Sequence, residues 1–182
     1  MQKKVNKGGI ITMVKNMGIL AQFFRIISAV FEIMADRESQ RKKIFLYNGI
    51  YNAFCALQYF LLNAITGGIC SILAILRNFL MFYCEKKYLF FILPIYFISL
   101  ILINFGSFDG IISFLPIIMV VLYTMSLFLG NIYGIKCTII FVMILEIIYD
   151  IYYGAYVGVG VSIIDIIFVV VSFFDIKNKE IQ

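Results

Sequence analysis

Apolar residues run along this chain in blocks too continuous for the one-sided helices of a water-soluble protein, and the polar residues fall in short clusters between them. The first block, Met17 to Ala35, ends at Asp36-Arg37-Glu38-Ser39-Gln40-Arg41-Lys42-Lys43. No charge follows from Ile44 to Leu76. That stretch is too long for one bilayer crossing of about 20 residues and long enough for two short ones. Asn63-Ala64-Ile65-Thr66-Gly67-Gly68 supplies turn residues within it, so helices are expected over Ile44 to Leu62 and Ile69 to Cys84. Leu89 to Asn104 stops at Gly106-Ser107-Phe108-Asp109-Gly110, and Ile111 to Leu129 stops at Gly130-Asn131. A sixth helix, Cys137 to Tyr152, meets Tyr153-Gly154-Ala155-Tyr156-Val157-Gly158, and a seventh runs from Val159 to Phe174. The pattern therefore predicts seven transmembrane helices in one domain, residues 17–175, between a basic N-terminal extension (1–16) and a charged tail (176–182).

Composition agrees with that segmentation. Of 182 residues, 63% are hydrophobic and 14% charged, with a mean hydropathy of +1.02. Soluble domains average about 45–50% apolar and 25% charged residues, so this chain has too few polar side chains to cover a surface in water. The expectation is an all-α integral membrane protein. Its net charge of +5 is then a matter of orientation rather than of nucleic-acid binding. With seven spans, Arg37, Arg41, Lys42, Lys43, Lys86, Lys87, Lys136, Lys177 and Lys179 fall on one side, and only Lys3, Lys4, Lys7 and Lys15 on the other. The positive-inside rule places the C-terminus in the cytoplasm and the N-terminus outside, against the pull of the four N-terminal lysines. Those lysines sit in a segment that reads as a translated extension, with Met13 or Met17 as an alternative start.

Shifting the chain on itself by 91 residues lays Ala64 on Ala155, Gly67 on Gly158, Ser71 on Ser162 and Ile72 on Ile163. The matches centre on a turn, where small residues have a backbone reason to be. The expected architecture is a parallel repeat of three helices plus one plus three, with repeat 1 over 17–84, a linker helix over 89–104 and repeat 2 over 111–174. In proteins so built, substrate sites lie near the midplane between the repeats.

Ionisable groups inside spans cost roughly 2.5–3.5 kcal/mol each at the bilayer centre and are functional candidates by default. Here they are Arg25, Glu32, Arg77, Glu146, Asp150 and Asp165. Arg77 facing Asp165 across the repeats would line a cleft, as would Glu146 and Asp150, four apart on one helical face, acting as proton-titrating or cation-coordinating carboxylates. A purely structural alternative leaves Asp150 in water at the outer interface, lets Arg77 snorkel to the cytoplasmic headgroups, and pairs Arg25 with Glu32, two turns away on its own helix. Asn52 and Asn78 are amides able to bind a polyol or to hold helices together; Asn48 and Gln22 are similar. Pro116 is a candidate kink and hinge. Tyr149, Tyr152, Tyr153 and Tyr156 read as an interfacial belt. Cys55, Cys70, Cys84 and Cys137 have no CxxC spacing and the chain has no histidine, so they read as packing residues, and neither a metal nor a cofactor is expected. No Gly-rich phosphate loop, GxSxG or HExxH is present, and an enzyme is not expected.

The segment Gln58-Tyr59-Phe60-Leu61-Leu62-Asn63-Ala64-Ile65-Thr66-Gly67-Gly68 through Ser71-Ile72-Leu73 to Arg77 resembles the second hairpin of bacterial inner-membrane proteins of the YgjV type. Leu20-Ala21-Gln22, Leu115-Pro116 through Thr124 to Leu127-Phe128, and Tyr152-Tyr153-Gly154 with Gly158 carry the same likeness, which covers Met17 to Phe174. The resemblance implies the bacterial plasma membrane and a relation to the MtN3/SWEET and PQ-loop carriers, which share the three-plus-one-plus-three plan. It also places an arginine at Arg77. The absence of Trp and of a Pro-Gln pair disfavours nicotinamide-riboside transport. The expected function is a carrier or facilitator of a small polar metabolite, working by alternating access between the two repeats. The alternative is a non-transporting membrane assembly or interaction protein. Expected partners are the lipid bilayer, a small-molecule substrate and, in a homo-oligomer, further copies of the chain; nucleic acid is not among them.

Overall fold

The computed structural model describes residues 7–37, 40–83, 94, 96–102, 110–126 and 132–180. The described residues form helices and turns, with no strand among them. Helix α1 spans Lys7–Arg37, α2 Arg41–Leu61 and α3 Ile65–Tyr83. Residues 96–102 form α4. A 3₁₀ turn at Ile111–Ser113 leads directly into α5, Phe114–Ser126, followed by α6, Ile132–Tyr153, and α7, Tyr156–Glu180.

Packing closes these helices into a ring. Helix α1 lies against α2 and α7, α2 against α3, α3 against α5, α5 against α6, and α6 against α7. Helix α4 covers the α3–α5 seam, where Tyr96 and Leu100 join Cys70, Leu73 and Ile117 in one apolar cluster.

The ring is inverted relative to a soluble protein. Its outer surface carries Ile19, Phe23, Leu102, Ile111, Phe141, Ile167 and Phe168, all more than half exposed, whereas Arg25, Gln58, Arg77, Asn78, Thr124, Asp150 and Asp165 are buried. Water would penalise so large an apolar coat, and a hydrocarbon solvent suits it. By length and composition α1 is able to cross a bilayer over Asn16–Ala35. The apolar stretches Ile65–Leu80, Ile111–Ser126 and Tyr156–Val171 are shorter, so among the described residues a single helix, not seven, meets the length and hydropathy of a full span.

Helix boundaries differ from the apolar blocks in an instructive way. Helix α1 already runs from Lys7 through the expected extension, α2 starts at Arg41, α6 takes in Ile132 to Lys136, and α7 continues to Glu180. Charged residues end an apolar block without ending a helix, because Lys, Arg and Glu are good helix formers. The expected linker helix over 89–104 is described only at Pro94 and 96–102; Cys84, Glu85 to Lys87, Gly106 to Asp109 and Gly130-Asn131 lie outside the described residues.

Both expected hairpin turns are shorter than the sequence suggested. The first consists of Leu62, Asn63 and Ala64, leaving Thr66, Gly67 and Gly68 inside α3. Asn63 has φ 59°, Ala64 N–H donates to Tyr59 O (2.8 Å), and Asn63 N–H donates to Phe60 O (3.1 Å). These are the two crossed bonds of a Schellman C-cap, with its left-handed residue at Asn63. The second hairpin repeats them at a shift of 91: Gly154 has φ 73°, Ala155 N–H donates to Asp150 O (2.8 Å), and Gly154 N–H donates to Ile151 O (3.3 Å). The duplication in sequence is thus a duplication of backbone hydrogen bonds.

Pro116 lies in the first turn of α5, immediately after the 3₁₀ turn. A helix's first turn has no α-helical acceptor for that N–H, so the proline, expected as a kink and hinge, stands where α5 begins and breaks no α-helical bond.

Because Asn63 is a non-glycine residue in the left-handed region, Asn63→Val should cost about 1–2 kcal/mol and lower the melting temperature of the purified protein, whereas Asn63→Gly should leave it equal or higher. Equal melting of the valine variant and the parent would show that the turn does not depend on this cap.

Candidate functional site

Helix α1 turns Ala21, Arg25, Ser28 and Ala35 inward at helical spacing. Arg25 is 1% exposed, and two neighbouring helices share its guanidinium. Nη1 donates to Tyr51 Oη (3.0 Å) and Cys55 Sγ (3.1 Å) of α2, and Nη2 donates to Glu146 Oε1 (3.1 Å) of α6. The Arg25–Glu146 contact is an ion pair, and the guanidinium also sits 5.5 Å from the centre of the Tyr51 ring. The partner of Arg25 therefore comes from across the bundle rather than from Glu32 alone on its own helix.

Tyr51, Cys55 and Tyr59 follow one another every four residues on α2, and Glu146 and Asp150 do so on α6. The Tyr59 hydroxyl donates to Asp150 Oδ1 (3.0 Å). Asp150 has no exposed surface, so it is a core residue and not an interfacial one. The two pairs of positions are related by the same shift of 91: Cys55 corresponds to Glu146, with Arg25 between them, and Tyr59 corresponds to Asp150 and bonds it directly.

Glycines let these side chains approach. Tyr149, fully buried, accepts a hydrogen bond from Gly67 N–H (2.9 Å), one of the orphan donors of the first turn of α3. A Cβ on Gly67 would stand 2.7 Å from the Tyr149 hydroxyl. Gly158, the corresponding third residue of α7, makes room for the Asp150 carboxylate, which any Cβ there would strike. Tyr59 and Tyr149 meet edge to face at 5.4 Å. Of the expected tyrosine belt, Tyr152 and Tyr156 are exposed, while Tyr149 belongs to the core.

Gln22 fastens α1 to the second turn. Its Nε2 donates to Gly154 O (2.9 Å), and its Oε1 accepts from Val157 N–H (2.9 Å). One amide thus serves both the carbonyl left open by the turn and a first-turn donor of α7.

The other expected site residues lie elsewhere. Asn52 donates to Asn48 O of its own helix (2.6 Å). Asp165 is buried on α7. Arg77 is buried, not snorkelled, with Nη1 donating to Thr124 Oγ1 (3.1 Å), Nη2 donating to Asn78 Oδ1 (3.3 Å), and the Tyr123 ring 4.8 Å away. Arg77 lies ten residues along α3 from Gly67, about 15 Å, so its surroundings form a second polar centre. Among the described residues there is no metal-ligating cluster and no disulfide; Cys55 and Cys70 are buried and Cys137 is exposed.

Sequence reasoning found Glu146 and Asp150 but left Arg25, Tyr51, Tyr59 and Gln22 out of the site. The available signal was the 91-residue shift, which lays Tyr59 on Asp150 and Cys55 on Glu146.

Residues 19–180 match the Imp-YgjV family model, described as bacterial inner membrane protein. No curated protein matches, and no solved structure does.

Arg25→Met strands the largely buried Glu146 carboxylate and should cost about 3–5 kcal/mol. Adding Glu146→Gln to Arg25→Met should recover part of that loss, so a double-mutant cycle read by unfolding in mixed micelles should give a non-zero coupling; strict additivity would show that the pair is not energetically joined. Gly158→Ala should destabilise by about 1–3 kcal/mol through overpacking against Asp150, and Asp150→Ala in the same chain should relieve it.

Proposed function

The chain belongs to the Imp-YgjV family of bacterial inner membrane proteins, and from that premise we propose that it is a carrier or facilitator of a small polar metabolite. On this reading the seven helices cross the membrane, α1–α3 and α5–α7 are two like-oriented units, and α4 is the inverting linker. The unit boundary runs through the ion network, which joins Arg25, Tyr51, Cys55 and Tyr59 of the first to Glu146 and Asp150 of the second.

The observation that carries the proposal is the unfilled capacity of that network. Arg25 Nε, Asp150 Oδ2 and both amide atoms of Gln58 are buried without a hydrogen-bond partner. Unmet polar atoms in an apolar-coated bundle are costly, and a bound polar solute would meet them. Contacts between positions related by the shift, Tyr59 with Asp150, arise on the axis of a two-fold repeat, where such carriers hold their substrates. Relation to the MtN3/SWEET and PQ-loop carriers belongs to this proposal too. The basic residues, gathered on the side of the α1–α2 turn and the C-terminus, support a cytoplasmic C-terminus and an external N-terminus.

A second reading, a non-transporting assembly partner, draws on the closure of the Arg25 guanidinium by three protein ligands, the pattern of a structural clamp.

Metabolite profiling separates the two. Vesicles containing the wild-type protein should accumulate or lose polar metabolites that empty vesicles do not, and Asp150→Asn, checked for an unchanged melting temperature, should abolish the difference. Identical profiles for wild type and empty vesicles would leave the clamp reading. A reporter fused after Gln182 should be active only in its cytoplasmic form, and activity of a periplasmic reporter would reject the orientation.

A further inference from the structure

The surroundings of Arg77 have the opposite character from those of Arg25. Arg25 meets a carboxylate; Arg77 meets only dipoles and a ring face. Thr124 accepts from its Nη1 and donates its own hydroxyl hydrogen to Val120 O (2.6 Å), so the threonine is fixed as an acceptor. Asn78 accepts from Nη2 through Oδ1, which leaves its Nδ2 amide as a donor. Tyr123 offers its ring. None of these groups carries a formal negative charge, and among the described residues no carboxylate shares a hydrogen bond or ion pair with this guanidinium.

The unused hydrogen-bonding capacity here is all of one kind. Arg77 Nε and Asn78 Nδ2 have no partner, nor does the hydroxyl of Tyr96, which packs in the cluster with Leu73, one turn along α3 from Arg77. The three residues are 5%, 3% and 4% exposed, so bulk water does not serve them. Helices α3 and α4 thus place three unmatched donors, those of Arg77, Asn78 and Tyr96, along one seam with a cation that meets no carboxylate among the described residues, and α5 holds that cation in place. A buried lone charge is among the costliest features a fold retains, and here the missing element is an acceptor with negative charge.

We propose that the centre formed by Arg77, Asn78 and Tyr96 is a binding site for a small oxyanion, a carboxylate or phosphate group, whose oxygens take the unused donors. Guanidinium forks suit such oxygens geometrically. The same chemistry is offered by a soluble anion and by a phospholipid headgroup reaching in from the membrane. The site does not depend on the carrier reading, since a protein that moves nothing can still bind an anion here.

The full chain, purified in dodecyl maltoside, whose sugar headgroup carries neither phosphate nor carboxylate, is titrated calorimetrically with sodium phosphate and with sodium acetate. At least one should bind saturably. Tyr96→Phe, which deletes one hydroxyl from a packed ring, should weaken that binding about tenfold, and Arg77→Gln should abolish it. Added phosphatidylglycerol distinguishes the sources: displacement of the soluble anion assigns the site to a lipid headgroup, and undiminished binding assigns it to a free anion, with the site upheld in both. No saturable binding of either salt by the wild type, or equal affinity in the wild type and Tyr96→Phe, overturns the proposal.

Discussion

A guanidinium enclosed in a bundle whose outside is hydrocarbon must find every partner inside the protein, and Arg25 does so by drawing on α2 and α6 at once. That demand sets the relative rotation of three helices. Tyr51 and Cys55 must face α1, so Tyr59, a further turn along α2, faces α6 and meets Asp150. Glu146 must face Arg25, so Asp150 points the same way from α6. Tyr149, between them in sequence, then reaches Gly67 and caps α3. Apolar packing between helices in lipid lacks a strong hydrophobic driving force, and it falls to directional polar contacts such as these to choose one packing among many.

The duplicated hairpins explain how two helix pairs came to have matching geometry and different chemistry. Their backbone bonds coincide at a shift of 91, as do the left-handed positions, Asn63 and Gly154, and the third-residue glycines, Gly67 and Gly158. Side chains diverge on that common frame: Cys55 faces Glu146, Tyr59 faces Asp150, and Arg25 corresponds to Pro116, which begins a helix in place of carrying a charge. The cation comes from α1, and the carboxylates that it and Tyr59 hydrogen-bond come from α6. These bonds run from α1 and α2 to α6, so the network ties the two helix pairs together.

The apolar blocks located the helices, and the carboxylates four residues apart identified the polar face of α6, because both are properties of a single helix. Partners across helices were less legible. Arg25 and Glu32 are seven apart on one face, which periodicity reads as a pair, yet the choice of Glu146 depends on which helix lies alongside, and a periodic pattern carries no such information. The turns misled for a related reason. Thr66-Gly67-Gly68 has turn composition, but one left-handed residue at Asn63 completes the reversal, and the glycines beyond it serve close approach by Tyr149 and Phe60. Ends of apolar blocks mark where the sequence turns polar, whereas ends of helices mark where backbone bonding stops; in α1, α6 and α7 these differ by a turn or more.

Five of the six ionisable residues inside the helices fall, unequally, in two centres. At the first, one arginine contacts Glu146 and shares its surroundings with Asp150 and Glu32, so carboxyl groups outnumber the guanidinium. At the second, Arg77 stands among neutral donors and acceptors. A bundle selected for stability alone would pair such charges or exchange them for apolar side chains of like volume, which is often neutral or stabilising. Retaining an acid excess in one place and a base in another, about 15 Å apart along the helix axis, keeps a dipolar interior at a standing energetic cost. Such an interior is suited to solutes that carry charge of their own, and the cost is met when they bind.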